Sequence, residues 1–191
     1  MPITLNGSGT VSGISAGGLP DGIIQSADLA TGVGGKILQV KQAVKTDVSS
    51  SSSNSYAVLS DFTQTITTTG SNKVFCQGTF YLGAPSAYSV WIRLVRADAN
   101  GSTVYPYRGD ALNATDRVTC GGLVQYYNYG EVNCSFMFLD TPSGAGTHTY
   151  KIEWRSGYSS TTVYMGRNQY SNDSASLGTA PSCLTLMEVA A

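Results

Sequence analysis

Charged residues are scarce in this sequence of 191 residues, where Asp, Glu, Lys and Arg together make up 12%. Ordinary soluble domains contain about 25%. The net charge is −1 and the basic residues are scattered singly, so the chain lacks the basic face that nucleic-acid binding normally requires. No apolar run approaches the roughly 20 residues that cross a bilayer. The N-terminus shows no signal peptide. We therefore expect synthesis in a cytosol, without nucleic acid or membrane insertion.

Catalytic signatures are also missing. The single histidine, His148, stands at the start of a predicted strand, where we expect a solvated side chain rather than a base in a triad. There is no Walker A lysine, and the glycines near the N-terminus have the wrong spacing for a dinucleotide site. The carboxylates are spread along the chain, although a glycosidase pair across a sheet stays open as an alternative. We expect no enzymatic activity, no cofactor and no metal site.

The four cysteines contain no Cys-x-x-Cys pair, so their spacing gives little support to a zinc site. Cys76 and Cys134 lie within alternating apolar runs, where a free cysteine behaves as a small buried hydrophobe. We interpret both in this way. A Cys76–Cys134 disulfide between neighbouring strands is the alternative.

The sequence is instead rich in Ser, Thr, Gly and Tyr, a composition that suits strands better than helices. From residue 36 onward, apolar and polar residues alternate with period two, and turn signals recur every 8 to 15 residues. A Ser49–Ser53 loop and an Asn100-Gly101 turn separate some of these runs. The pattern predicts an all-β domain over 36–191, an antiparallel β-sandwich of jelly-roll-like type. The predicted strands are 37–44, 56–59, 62–68, 74–82, 88–96, 104–107, 123–127, 132–139, 147–155, 161–165 and 182–189.

Residues 1–35 differ from the rest because they are too rich in glycine to fold alone. Single apolar residues nevertheless recur along them, and such residues usually become buried against a partner chain. We predict an anchoring or intertwining arm, with a very short helix at 27–30 capped by Ser26. A disordered linker is the alternative. The candidate anchors are Ile14, Leu19, Ile23, Ile24 and Leu29.

Tyrosines cluster around the irregular segment 108–122. Tyrosine offers a large contact area with a polar tip, which suits protein interfaces and sugar stacking alike. Ordinary strand packing, a subunit interface and a glycan platform all remain open. The candidate surface-binding residues are Tyr105, Tyr107, Tyr126, Tyr127 and Tyr129.

Three passages resemble a module common in tailed bacteriophages of aquatic bacteria, especially cyanophages. They are Gly18-Leu-Pro-Asp-Gly-Ile-Ile-Gln-Ser-Ala-Asp-Leu-Ala, Gly35-Lys-Ile-Leu-Gln-Val and Leu184-Thr-Leu-Met-Glu-Val-Ala-Ala; Trp91-Ile-Arg-Leu-Val-Arg and Phe138-Leu-Asp-Thr-Pro are also similar. The resemblance covers the chain from about residue 17 to its end. It implies a jelly-roll-like domain that assembles as a homotrimer on a virion exterior, either at the end of a tail fibre or as a capsid-decorating subunit. Almost nothing precedes the module here, which shifts the expectation toward a short fibre or a decoration trimer.

The leading hypothesis is therefore a structural protein on a virion surface, assembled in the host cytoplasm and in contact with itself and with other capsid or tail proteins. A tail-fibre module that binds a receptor or a host surface glycan is the second hypothesis. A hydrolase acting on host polysaccharide is the third.

Overall fold

The computed structural model describes residues 4–5, 11–12, 36–85, 88–110, 117–123, 131–170 and 178–191. The chain divides into two compact units, Met1–Lys36 and Ile37–Ala191. In the first unit, strands β1 (Thr4–Leu5) and β2 (Val11–Ser12) pair antiparallel. The five predicted anchors and the predicted helix at 27–30 lie outside the described residues, so the role of 1–35 stays a prediction.

The described residues of the second unit form eleven strands in two antiparallel sheets. The first sheet contains β3 (Ile37–Lys45), β4 (Ser49–Ser51), β6 (Lys73–Gly83), β10 (Glu131–Asp140), β12 (Val163–Met165) and β13 (Ser182–Val189). The second contains β5 (Ala57–Thr68), β7 (Ser89–Ala97), β8 (Thr103–Val104), β9 (Cys120–Leu123) and β11 (Gly146–Ser156). In the described parts of the chain, no helix is long and apolar enough to span a membrane.

The strand order is that of a jelly roll. The main strands of the first sheet follow the order β3-β13-β6-β10, and those of the second follow β5-β11-β7-β9. If these eight are numbered along the chain, the sheets read 1-8-3-6 and 2-7-4-5, so most connections cross from one sheet to the other. This is the double-sheet arrangement of jelly rolls, and it confirms the predicted fold class.

The core lies between the sheets, on the faces that the alternation predicts. In β6 the inward residues include Cys76, Phe80 and Leu82, and in β7 they include Ile92 and Leu94. Three phenylalanine rings meet in the centre, because Phe80 packs edge-on against Phe62 at 5.3 Å and against Phe136 at 5.9 Å between centroids. Side chains from both sheets therefore close a single apolar layer.

The structure corrects two predictions for residues 49–68. The strands expected at 56–59 and 62–68 form one strand, β5, with a register shift against β11 between Tyr150 and Ile152. Between these pairs β5 has three more residues than β11, and this insertion interrupts the alternation, which made one strand resemble two. The expected serine loop at 49–53 contains strand β4, because Ser49–Ser51 pairs with Val163–Met165.

Two short strands also differ from the prediction. The return strand expected at 104–107 is limited to Thr103–Val104, since Tyr107 adopts a positive φ of 50° that no strand continues through. The strand expected at 123–127 begins earlier, at Cys120, and its remaining residues lie outside the described chain. The turn at Asn100-Gly101 is confirmed, with φ of 84° at Gly101.

The cysteine interpretation is wrong for Cys134, which forms a disulfide with Cys120. Cys120 lies in β9 and Cys134 in β10, so the bond joins the two sheets across the core. A Cys76–Cys134 bond is excluded by register: in β6, Cys76 stands opposite Phe138, whereas Phe80 stands opposite Cys134. That offset of four residues corresponds to about 13 Å along the strand. Cys76 is free and buried, as predicted.

Candidate functional sites on the two outer faces

The outer side of the first sheet carries three rows of side chains that cross its four main strands. Each row takes one residue from β3, β13, β6 and β10, in that order. The rows are Val40–Met187–Phe75–Leu139, Gln42–Thr185–Gln77–Met137 and Val44–Cys183–Thr79–Ser135. None of these twelve positions carries a charge, and we call this surface the uncharged face.

The most exposed apolar residues of this face lie on its two edge strands. On β3, Val40 is 54% and Val44 is 55% exposed, and on β10, Met137 is 66% and Leu139 is 39% exposed. The two inner strands carry half-buried residues and a polar row, in which the Gln42 amide donates to the Thr185 hydroxyl over 2.9 Å. The face therefore leaves unburied apolar side chains along both of its margins.

The outer side of the second sheet has the opposite character. There Arg93 lies over the rings of Tyr56 and Tyr105, with its Cζ atom 3.8 Å and 4.6 Å from their centroids. Arg108 lies over Tyr105 at 4.4 Å, and Arg155 over Tyr56 at 5.3 Å. These five side chains alternate guanidinium and ring, and we call them the Tyr–Arg stack. Cation–π contacts of this kind hold long side chains in a fixed arrangement.

One carboxylate anchors the stack to the sheet. Arg93 donates from Nε over 2.7 Å and from Nη2 over 2.6 Å to Glu153, its cross-strand neighbour on β11. Lys151 lies 3.7 Å from the same carboxylate. Arg93 and Lys151 thus share one glutamate, while Arg108 and Arg155 lie over the tyrosine rings of the stack. Guanidinium groups held in place by aromatic rings can bind anions.

Trp91 lies next to the stack on the same outer side and is half-buried. A Cβ atom at Gly121 would come within 2.3 Å of its ring, so only glycine at this position of β9 allows the indole to lie across the strand. Trp91 therefore extends the aromatic surface of the second sheet.

The structure separates the tyrosines that the sequence grouped together. Tyr105 belongs to the Tyr–Arg stack. The ring of Tyr107 stacks on Phe138 at 4.3 Å and its hydroxyl donates to the Leu139 carbonyl, so this residue packs against β10 although it is half exposed. Tyr126, Tyr127 and Tyr129 lie outside the described residues. The sequence did not single out Tyr56 or Arg93, which meet Tyr105 only through the pairing of strands distant in sequence.

A second group of polar residues is buried inside the sandwich. Arg96 donates from Nε to Asp98 over 2.7 Å and from Nη1 to Asp140. Tyr150 donates its hydroxyl to Asp140 over 2.8 Å, and His148 Nδ1 lies 3.0 Å from Asp98. We call these five residues the buried ionic cluster. They join the ends of β7 and β10 to the beginning of β11.

The expectation of a solvated His148 is wrong, because its side chain is fully buried. Its second ring nitrogen lies 3.2 Å from the Gly144 carbonyl, so both nitrogens have partners within the fold. His148 is one of the inward-facing residues of β11. The sequence alone did not indicate that Asp98 would lie beside its ring.

The ionisation of the cluster follows from its pairing. Burial alone would raise the pKa of Asp98, but hydrogen bonds from Arg96, Ser143 and His148 lower it below the ordinary range. Burial raises the pKa of Tyr150 well above its usual value. Asp98 is thus held as an anion against Arg96 and Tyr150 as a neutral donor, an arrangement that fixes strand ends. Among the described residues, no group of three or more His, Cys, Asp or Glu could hold a metal ion.

No family model matches the sequence, and no curated protein matches it. The solved structure of infectious bursal disease virus, Gt strain, is similar with a TM-score of 0.43 and 11% identity, over 80% of this chain and 38% of that chain. A VP2 protein of the same virus in T=1 particles gives a TM-score of 0.42 and 10% identity, over 80% and 36%. This chain therefore spans under two fifths of these viral chains.

A third similar structure is the CBM22-1 xylan-binding domain of Xyn10C from Paenibacillus barcinonensis. Its TM-score is 0.34 at 14% identity, over 82% of this chain and 97% of that chain. At these identities the likeness concerns the β-sandwich fold alone.

Proposed function

We propose that this chain is a non-catalytic structural subunit of a tailed-phage virion, a capsid-decorating or short-fibre protein that forms a homotrimer. Residues 1–35 anchor it to capsid or tail proteins, and the jelly-roll domain is exposed on the particle. The observation that carries the proposal is the uncharged face. A lone soluble domain usually spreads charges over its surface, whereas this face carries none at twelve positions and leaves apolar side chains exposed along both margins, as an assembly subunit requires.

The sequence supports the same proposal independently of the domain surface. The passages that resemble phage modules include the segment with Ile23, Ile24 and Leu29, which are predicted anchors. Apolar residues in a glycine-rich segment gain little from folding alone and much from contact with other chains.

Electron microscopy of intact particles tests the proposal directly. We expect density of three-fold symmetry on the capsid or tail surface that this chain fits. Absence of the chain from purified particles, as judged by mass spectrometry, would overturn it. Changing Ile23 and Ile24 together to Asn should reduce incorporation into particles, while changing Ser8 and Ser12 to Asn in the same arm should not.

A second candidate function is binding of a receptor or glycan, and the Tyr–Arg stack favours it. Its two tyrosine rings hold three guanidinium groups in a fixed arrangement, which suits negatively charged groups on a sugar, and the half-buried Trp91 beside them adds aromatic surface. The same observation concerns an outer face that the first proposal leaves exposed, so the two functions are compatible.

Host-cell adsorption and a glycan array would test this candidate. We expect Tyr105→Ala to weaken binding, and the Tyr126→Ala/Tyr127→Ala pair tests the other predicted tyrosines. Tyr158→Ala tests the second tyrosine group, 158–170, and Thr65→Ala, at an exposed position on the outer side of β5, is the control. Unchanged adsorption in every tyrosine variant would remove the idea.

A further inference from the structure

The uncharged face has about half of the area that a stable subunit interface needs. Its three rows cross four strands, and with strands about 4.8 Å apart and rows about 6.8 Å apart they cover on the order of 400 Å². Ile37 and Leu38, both half exposed at the start of β3, add apolar surface at the margin. A stable interface needs about 800 Å² on each partner, so the face supplies roughly half of that before its margins are counted.

We propose that three copies of this chain pack with their uncharged faces toward a common three-fold axis, roughly parallel to the strands. This rests on the proposed homotrimer and assigns the surface that forms it. The occupant of the face is thus a second and a third copy of the same chain.

The absence of charge at these positions is what a symmetry axis requires. Any ionised side chain on a face turned toward the axis would meet two identical charges from the other copies, at a cost that grows as water is excluded. All twelve positions avoid this; the outer side of the first sheet carries Lys73 in the next row, and that of the second sheet carries Arg93, Lys151 and Glu153.

The width of the face matches three copies. Four strands with one further spacing to the neighbouring copy give a side of about 19 Å. An equilateral triangle of that side places each sheet about 5 Å from the axis, half of the roughly 10 Å at which sheets pack face to face. Side chains then fill the centre. A square of four copies would leave each sheet about 10 Å away and the axis hollow.

The distribution of apolar residues favours three copies over a face-to-face pair. At each corner of a triangle, β3 of one copy meets β10 of the next, and these edge strands carry the most exposed apolar residues, Val40, Val44 and Met137. Val40 and Leu139 share a row, so they lie at the same height and meet at the corner. Contacts between two different edges, here β3 of one copy and β10 of the next, close into a ring of copies. In a face-to-face pair, the residues on the inner strands β13 and β6 would instead be buried most deeply. One such central pair is Thr185 and Gln77, which is polar.

Mass measurement of the full-length chain tests this assignment. We expect the wild type to be a trimer of about 60 kDa, three times 20.0 kDa. Met137→Lys should give a monomer with unchanged circular dichroism, because the side chain is mostly exposed within one copy. Thr65→Lys, at an exposed position on the outer side of β5, adds the same charge elsewhere and should leave the trimer intact.

The outcomes separate this inference from the proposed function. A trimer that survives Met137→Lys would overturn the assigned face and leave the homotrimer standing. A wild-type monomer would overturn both, and a dimer dispersed by Met137→Lys would overturn the three-fold arrangement.

Cysteine cross-linking then checks the corner contact. In a Cys183→Ser background, Val40→Cys together with Leu139→Cys should give covalent trimers on mild oxidation, and either change alone should give none. Covalent dimers from Val40→Cys alone would indicate a two-fold pair and contradict the proposal.

Discussion

The middle of the sandwich and the end that contains the buried ionic cluster are built from the same strands but bury different kinds of side chain. Along β7 the inward positions continue from Ile92 and Leu94 to Arg96. Along β11 they run from Ile152 back to Tyr150 and His148. In the middle, apolar side chains need only fill space, whereas at the end each polar group needs a specific partner. Alternation thus decides which side chains are buried, and the neighbouring strands supply the partners that the buried polar groups need.

A third buried carboxylate follows the same rule near the end of β13. Glu188 accepts hydrogen bonds from the side chains of Gln39 and Asn72 over 2.7 Å and 2.8 Å, and from the backbone of Thr69 over 3.0 Å. Burial would raise the pKa of Glu188, but these donors lower it below its ordinary value. The end of the last strand is therefore tied to the turn between β5 and β6 through one side chain.

The largest loss of stability should come from disrupting the buried ionic cluster. Arg96→Met leaves the buried carboxylates Asp98 and Asp140 without their cation, so we expect a loss of about 3 to 5 kcal/mol in the free energy of unfolding. Urea denaturation measures it. Adding Asp140→Asn should recover part of the loss because one unpaired charge is removed; a purely additive double variant would contradict the pairing.

A cavity in the middle should cost nearly as much for a different reason. Phe80→Ala removes the ring between Phe62 and Phe136, and such changes cost about 3 to 5 kcal/mol. The loss should be the same at pH 5 and pH 7, since no ionisable group is involved. The conservative change Phe80→Leu should retain much of the stability that Phe80→Ala loses. A loss that varies with pH would contradict the view that only apolar packing stabilises the middle of the sandwich.

Removing the covalent link between the sheets should cost somewhat less. The Cys120–Cys134 bond closes a loop with a sequence separation of 14. A disulfide that closes a loop of that size contributes about 3 kcal/mol to the free energy of unfolding. The Cys120→Ser/Cys134→Ser variant should unfold at a lower urea concentration than the wild type. Cys183→Ser, which changes a free cysteine, is the matched control and should have little effect.

Acidification should weaken only the polar regions, by a smaller amount. The pKa values of Asp98 and Glu188 are lowered in the folded chain, so their stabilisation is present above the unfolded pKa values, near 4, and is lost as the pH falls below them. Urea midpoints measured from pH 6 down to pH 3 should decrease. Glu188→Gln should flatten the decrease, and an unchanged slope would show that this carboxylate is not stabilised by its donors.

Much of the fold could be predicted because alternation is a local property. The inward positions of β6, β7 and β11 follow directly from the sequence, and Gly101 marks its turn. The errors arose where partners mattered: β5 was divided at its register shift, and Ser49–Ser51 became a strand only because Val163–Met165 lies beside it.

The candidate sites were less predictable for the same reason. Tyr105 was selected from its tyrosine-rich surroundings, but its stacking partners Tyr56 and Arg93 come from other parts of the chain. The uncharged face was invisible as a unit, because each of its rows takes residues from four strands that are widely separated in the sequence.

The sequence by itself determined an all-β chain, the direction of most strand side chains and the scarcity of charge. These depend on residue type and on a period of two, which act within a few residues. Only the tertiary structure decided which cysteines bond, which carboxylates receive Arg96 and His148, and which outer face is free of charge. Those depend on strand order and register, and a jelly roll places side by side strands such as β3 and β13 that stand at opposite ends of the domain's sequence.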